Sequence, residues 1–307
     1  MFSKLRTLVG GLRWRGAQSS DESRDRSSSE RELPNLSNLA RVARLRHIQS
    51  LHESGDLRNP DILVGELLAP DERERCLRTS RQELTVMRKA PFYYYLVART
   101  KFYDELLLEA VAAGLRRVVV LGSGSDTRLY RFGGHLATHG IEVAECDQPE
   151  AIAIKMRLAR SLPHVERVGY LPADLNSPDT WSGLWEWLNR NGSRPTLVFA
   201  EGVSPYLLAS TFERFLKELA IQMASGGWVV YDFKRPGQAV DRDAGQDVSE
   251  WYRLPFDESW VSARHASLGF GRTALVESVP LMRNHVPSWS ERVSVPYRED
   301  ALLRLWR

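Results

Sequence analysis

The 307-residue chain is poor in cysteine. Its two cysteines, Cys76 and Cys146, lie far apart in sequence, which excludes a disulfide framework and a cysteine-based zinc site and suits a reduced, cytoplasmic protein. No apolar run approaches the ~20 residues a membrane-spanning helix needs, so stable membrane insertion is not expected. Charge of one sign is also missing. The 42 Lys and Arg residues against 39 Asp and Glu leave +3, too even a balance for a nucleic-acid footprint although the isoelectric point is near 8.9. Of the seven histidines, none sits in a recognisable motif, and no internal repeat suggests a solenoid. What the chain does contain is 43% hydrophobic and 26% charged residues, enough to bury a large core in one domain or a domain with an appended cap.

The first 16 residues, MFSKLRTLVGGLRWRG, carry four basic side chains but no continuous apolar core, because Arg6, Arg13 and the Gly10-Gly11 pair interrupt it. They are not read as an export signal, and a weak basic membrane contact is the alternative to a frayed tail. Residues 17–32 are almost wholly serine and charge, which cannot bury enough to order themselves. The expected organisation is a disordered tail over 1–36, a helical N-terminal cap over 37–115, and an α/β core over 116–307 with an acceptor-side insertion around 236–272.

The cap is expected to open near Ser37 and to close with YYYLVARTKFYDELLLEAVAAG at Gly114. From Val118 strands and helices alternate. VVVLG (118–122), IEVAECD (141–147), VGYLPADL (168–175), TLVFAEGV (196–203) and WVVYDFK (228–234) are the strand candidates, separated by helical patterns. This calls for a doubly wound, mostly parallel, Rossmann-like sheet. Past Lys234 the pattern weakens; WYRLPFDESWVSARHASLGF reads as a further helical crossover and ALVESVPL (274–281) as a late strand.

Residues 118–132, VVVLGSGSDTRLYRF, are the most informative stretch. In a parallel sheet, ligands bind beyond the carboxyl ends of the strands, and Gly122 and Gly124 allow a sharp turn and close backbone approach there. Asp147 ends the next strand, placed to accept hydrogen bonds from both hydroxyls of a ribose. Two ligand classes compete: dinucleotides and S-adenosylmethionine. The third glycine of the dinucleotide fingerprint is Thr127, and Asp126 brings negative charge toward any pyrophosphate, which favours S-adenosylmethionine. Arg128 and Arg99 are candidates to pair with the carboxylate of its methionine end. Asp174 and Glu201 close two further strands, so three acids share one sheet edge.

These segments resemble the leucine carboxyl methyltransferase family. LGSGSDTRLYRF is similar to its LGAGxDTRxYRL signature, and VARTKFYDELLLEA (97–110), ECDQPEAIAIKMRLA (145–159), PADLN (172–176) and AEGVSPYL (200–207) match family segments in order. The resemblance covers about residues 90–235 well. It implies a class I S-adenosylmethionine-dependent O-methyltransferase in which Arg99 and Gly122 hold the methionine end, Asp147 the ribose, and Asp174 with Leu175 the adenine, with Gly124 a further cofactor-binding residue. Glu201 would lie near the methionine amino group and Tyr206 would line the acceptor pocket. Ser123 and Cys146 depart from the usual alanine and valine. The family's early basic cofactor contact has no clear counterpart, Arg41 and Arg44 being candidates. The bacterial form of the motifs points to a small-molecule acceptor of secondary metabolism, a polyketide-like or aromatic carboxylic acid, with a phenol as the alternative.

A carboxylate acceptor is already anionic and requires no general base, whereas a hydroxyl acceptor does, and His265 and His285 are the candidates for that role. Trp181, Trp185, Leu184 and Leu188 recur at helical spacing and are read as a packing face. The run Phe92 to Tyr95, directly ahead of Arg99, is a candidate acceptor-pocket lining. A nicotinamide-dependent oxidoreductase and a non-catalytic nucleotide-binding scaffold are the rival classes.

Overall fold

The computed structural model describes residues 36–236 and 251–307. The expected tail up to residue 35 and the polar part of the insertion at 237–250 therefore lie outside the described residues.

Four helices precede the first strand: α1 (Leu36–His52), α2 (Pro70–Leu77), α3 (Arg81–Met87) and α4 (Pro91–Ala112). Proline stands at the first position of α2 and of α4, where its missing N–H costs nothing. Ser80 and Glu83 close a reciprocal capping box on α3. The α/β part then runs β1 (Arg117–Leu121), α5 (Arg128–Arg131), α6 (Gly133–Thr138), β2 (Glu142–Asp147), α7 (Pro149–Leu158), β3 (Val168–Pro172), α8 (Ser182–Asn189) and β4 (Thr196–Ala200). It finishes with α9 (Ala209–Gln222), β5 (Trp228–Lys234), α10 (Glu258–Ser267), β6 (Arg272–Glu277), α11 (Ser278–His285) and β7 (Asp300–Trp306).

The seven strands form one sheet in the order β3-β2-β1-β4-β5-β7-β6. The first five are parallel, and β7 runs antiparallel to both β5 and β6. β1 and β4 are buried along their whole length, which explains why, after Arg117 and Thr196, VVVL and LVFA are continuous apolar runs rather than alternating ones. Side chains alternate between two cores. Val118, Val120, Leu197 and Phe199 pack with α4 on one face, while Val119, Leu121 and Val198 pack with α8 and α9 on the other. The helices before β1 belong to the first of these cores, and the described residues form a single unit.

The end of the chain departs from the sequence pattern. The expected strand at 274–281 is β6 only as far as Glu277, because Pro280 cannot donate to a ladder and helix α11 begins at Ser278. The pattern does not announce β7, whose DALLRLW contains no β-branched residue, yet it fills the space between β5 and β6. Within the expected helical crossover at 251–270, only Glu258–Ser267 is helical.

Candidate active site

The turn after β1 places Gly122 at φ +57°, a conformation costly for any residue with a side chain. A Cβ there would also stand 2.4 Å from a methyl of Val203, in the loop after β4. Only glycine lets the two loops meet at the carboxyl edge of the sheet. Asp147, at the end of β2, accepts from the Gly124 N–H at 2.8 Å with one oxygen and from the Gln148 N–H at 2.8 Å with the other. Burial nevertheless raises its carboxyl above the ordinary value. Each oxygen keeps acceptor capacity for a ligand hydroxyl. Asp174, past the end of β3, is held by the Asn176 N–H (2.9 Å) and the Ser177 hydroxyl (3.2 Å), and the buried Leu175 follows it.

Glu201, beyond β4, lies within a buried network. Its carboxylate contacts Arg99 Nε at 3.0 Å and Arg128 Nη1 at 2.7 Å. Burial opposes its charge, but Arg128, then Arg99 and Arg46, outweigh it and hold the carboxyl below the ordinary range. Arg99 also donates to Asp232 of β5 at 2.8 Å. Asp232 in turn accepts from the Gly202 N–H at 2.6 Å, and burial pushes its carboxyl up to about 6. Arg128 pairs with Asp104 of α4 at 3.0 Å and with Asp126. Arg131 grips Asp104 with both terminal nitrogens, at 2.7 and 2.8 Å, and Arg46 of α1 pairs with Asp61 at 3.0 Å and donates to Ser125 O at 2.9 Å.

Arg99 and Arg128 were candidates for a ligand carboxylate, and both already hold protein carboxylates. Asp126 spends one oxygen on the Arg128 N–H at 2.7 Å, at the N-terminus of α5 where the pyrophosphate of a dinucleotide would sit. In total five carboxylates (Asp61, Asp104, Asp126, Glu201, Asp232) face four guanidiniums (Arg46, Arg99, Arg128, Arg131), an excess of one negative charge.

The sequence reading missed a second brace of the glycine-rich turn. Lys155 of α7 is buried, and its ammonium donates to Gly124 O at 2.9 Å and Asp126 O at 2.7 Å, with Ser123 O at 3.4 Å. Its counter-ion is the fully buried Glu145 of β2, 3.1 Å away. Burial pushes the Glu145 carboxyl up to about 7, and the Tyr130 hydroxyl donates to it at 3.0 Å. Arg46, Asp61, Asp104 and Asp232 were missed likewise. The signal available for Asp232 is an acid inside the apolar run VVYDF, which demands a buried partner. Of the candidates for the early basic contact, Arg44 is paired with Glu72 at 3.2 Å and Arg41 is exposed; Arg46 is the α1 arginine that reaches the turn.

A cavity of about 130 Å³ opens beside the turn, against Leu67, Leu68 and Ile154. It is smaller than the ~300–1,000 Å³ of ordinary small-molecule sites, and Asp147, Asp174 and Glu201 do not line it. The acids at the strand ends, not this cavity, mark the candidate site.

Tyr206 lies in the short turn Ser204–Tyr206 after β4; its ring meets that of Trp251 edge-on at 6.0 Å and its carbonyl accepts from Asn176 at 3.2 Å. The aromatic run 92–95 forms the first turn of α4. Tyr93 and Tyr94 are buried, with hydroxyls donating to Glu53 (2.6 Å) and Arg88 O (2.7 Å), while Phe92 and Tyr95 meet the ring of Tyr297 at 5.5 and 4.6 Å. Trp181, Trp185, Leu184 and Leu188 pack against or within the second core, as the helical spacing suggests. His265 is buried with its ring between the Tyr231 hydroxyl and Val261 O, each 2.6 Å away, and burial lowers its pKa. His285 pairs with Glu105 at 3.2 Å. Both cysteines are buried and free. Among the described residues there is no group of three or more potential metal ligands, and no helix is long and apolar enough to cross a membrane.

Five parallel strands followed by an antiparallel β7 inserted between β5 and β6, with a glycine turn after β1 and an acid after β2, are the architecture of the class I S-adenosylmethionine-dependent methyltransferases. The family model for leucine carboxyl methyltransferase matches residues 40–220, well over half of the chain. The chain belongs to that family. A relative from Frankia alni, named "Putative S-adenosyl-L-methionine-dependent methyltransferase", is 30% identical over 77% of this chain and 87% of its own length. One of the same name from Mycobacteroides abscessus is 34% identical over 45% of this chain, a match that spans only 44% of that relative. Among solved structures, an O-methyltransferase family protein from Burkholderia thailandensis is 14% identical, with TM-score 0.42 over 75% of this chain and 65% of its own.

Proposed function

We propose that the protein transfers a methyl group from S-adenosylmethionine to a carboxylate of a flat, aromatic or polyketide-like small molecule, in the cytoplasm and in secondary metabolism. S-adenosylmethionine fits the residues present. Its sulfonium and ammonium charges outweigh its single carboxylate by one, which complements the one-charge excess of acids around Glu201. The buried Ser123 hydroxyl in the glycine turn has no partner among the described residues, so a polar ligand group there would satisfy it. Asp147 would take the ribose hydroxyls, Asp174 with Leu175 the adenine, and Arg99, Gly122, Gly124 and Glu201 the methionine end. When bound, this cofactor supplies a methyl group activated by the adjacent positive sulfur.

The chain's own task is then to align the acceptor and keep water out. The helices before β1 and the segment after Lys234 would cover the acceptor side, with Tyr206, Trp251 and the half-buried Phe92 offering ring faces to a flat acceptor, whereas Tyr95 is fully buried behind them. The observation that carries the carboxylate reading is the placement of the two candidate bases. His265 is locked into a core hydrogen-bond chain, and His285 stands against Phe102 and Glu105 of α4, neither of which belongs to the candidate site, so neither histidine is placed to deprotonate a phenol there. The test incubates the enzyme and labelled cofactor with a panel of aromatic acids and phenols, then treats the product with mild alkali. A methyl ester releases methanol; an alkali-stable ether overturns the carboxylate reading and leaves the methyltransferase class standing.

A further inference from the structure

Four guanidiniums at the carboxyl edge of the sheet, those of Arg46, Arg99, Arg128 and Arg131, hold protein carboxylates. A fifth, Arg253, stands apart: among the described residues it enters no ion pair. The segment that bears it runs along the acceptor side. Trp251 bridges Leu208, Arg253 bridges Lys234 at the end of β5, and the Tyr252 N–H donates to Leu207 O at 2.8 Å. The Arg253 guanidinium is fastened by one nitrogen only, Nη1, which donates to Pro205 O at 3.0 Å and to Tyr252 O at 2.7 Å. Pro205 immediately precedes Tyr206. The other terminal nitrogen, Nη2, is buried and, among the described residues, without a hydrogen-bond partner. The nearby acid Asp300 does not supply one, since Lys234 holds it at 2.6 Å.

A buried, charged donor without an acceptor is an expensive arrangement, retained where a partner is supplied from outside. The missing partner has stated chemistry: an anionic oxygen arriving beside Tyr206. We propose that Arg253 is the acceptor anchor, its Nη2 receiving one oxygen of the acceptor carboxylate and so directing the second oxygen toward the methyl donor. This deepens the carboxylate reading above and rests on it. In the transfer the free carboxylate oxygen forms the new O–CH3 bond as the methyl–sulfur bond breaks, and the electron pair of that bond passes to sulfur. No proton moves. The acceptor loses its charge in the same step, so the neutral ester no longer pairs with the guanidinium and is released.

The test titrates 2-naphthoate and its uncharged counterpart 2-naphthamide into the full-length protein saturated with S-adenosylhomocysteine, for the wild type, Arg253→Gln and Arg253→Lys. The wild type should prefer the acid by roughly 10-fold or more, the range of one hydrogen bond between charged groups. Arg253→Gln should lose that preference, Arg253→Lys should keep part of it, and S-adenosylmethionine affinity should be unchanged in both, which also shows that they fold. An acid preference that survives Arg253→Gln overturns the anchor, as does a wild type that binds acid and amide alike or binds neither. The alkali assay separates the two ideas: an ester product with an intact acid preference in Arg253→Gln sinks the anchor alone, whereas an ether product sinks the carboxylate reading.

Discussion

Replacing Lys155 by methionine keeps the aliphatic stem and deletes the ammonium that braces the glycine-rich turn. Three things are lost at once: donors to Gly124 O and Asp126 O, the longer contact to Ser123 O, and the counter-charge 3.1 Å from Glu145. Removing one partner of a buried ion pair costs about 3–5 kcal/mol when the other must stay charged. Glu145 can escape that cost by taking up a proton, because burial already pushes its carboxyl up to about 7. The sign follows. A carboxyl raised in the folded state contributes stability at low pH that is lost as pH rises from its unfolded value toward about 7. Without Lys155 that loss continues above pH 7, so the variant should keep only a small deficit near pH 5, from the lost carbonyl donors, and fall behind by about a further 3 kcal/mol at pH 8–9, or ~6–12 °C in Tm. Thermal unfolding at several pH values reads this, and calorimetry should show weaker S-adenosylmethionine binding because the turn is no longer held. Adding Glu145→Gln should recover much of the high-pH loss. A Tm deficit independent of pH, or no deficit at all, would refute the reasoning.

Other outcomes follow from the same geometry. Asp147→Ala should weaken S-adenosylmethionine binding by about 1.5–3 kcal/mol for each ribose hydrogen bond removed, and unchanged affinity in a folded variant contradicts the ribose assignment. In Gly122→Ala, the added methyl meets Val203 at 2.4 Å in a left-handed backbone, so cofactor affinity should fall at least tenfold by titration. Pairing it with Val203→Ala should restore only the steric part. Arg128→Met leaves Asp104, Asp126 and Glu201 without their shared cation, and denaturant unfolding should show a loss of about 3–5 kcal/mol. His265→Gln should lower stability but leave the pH profile of methyl transfer unchanged, since its ring faces Tyr231 in the core.

Much of the sheet was legible in the sequence. β1, β4 and β5 are mainly apolar runs followed by glycine, acid or lysine, as buried parallel strands read, and β2 is marked by its Val, Ala and Cys ending in Asp147. β7 was not, because its place is dictated by the gap between β5 and β6 rather than by local propensity. The acids at the strand ends could be found from spacing. Their partners could not: Arg46 and Asp104 come from helices before the sheet and Asp61 from the loop after α1, and nothing in RLRHIQ, RNPDIL or KFYDEL states that those side chains turn inward to meet the turn after β1. Arg99 and Arg128 were recognised as site arginines, yet whether an arginine awaits a ligand or already holds a protein acid depends on contacts far apart in sequence. The pairs Arg99–Asp232 and Arg128–Glu201 are of that kind. Arg253, in a weakly patterned stretch, carries no sequence signal and is distinguished by the partner it lacks.

The measurement that bears most directly on the central claim is a calorimetric titration of the wild-type protein with S-adenosylmethionine, S-adenosylhomocysteine and NAD. The account predicts one site per chain for each sulfur ligand, mutual competition between them, and no binding of NAD, whose pyrophosphate would meet Asp126 at the N-terminus of α5. Binding of NAD, or of no ligand among the three, would contradict it.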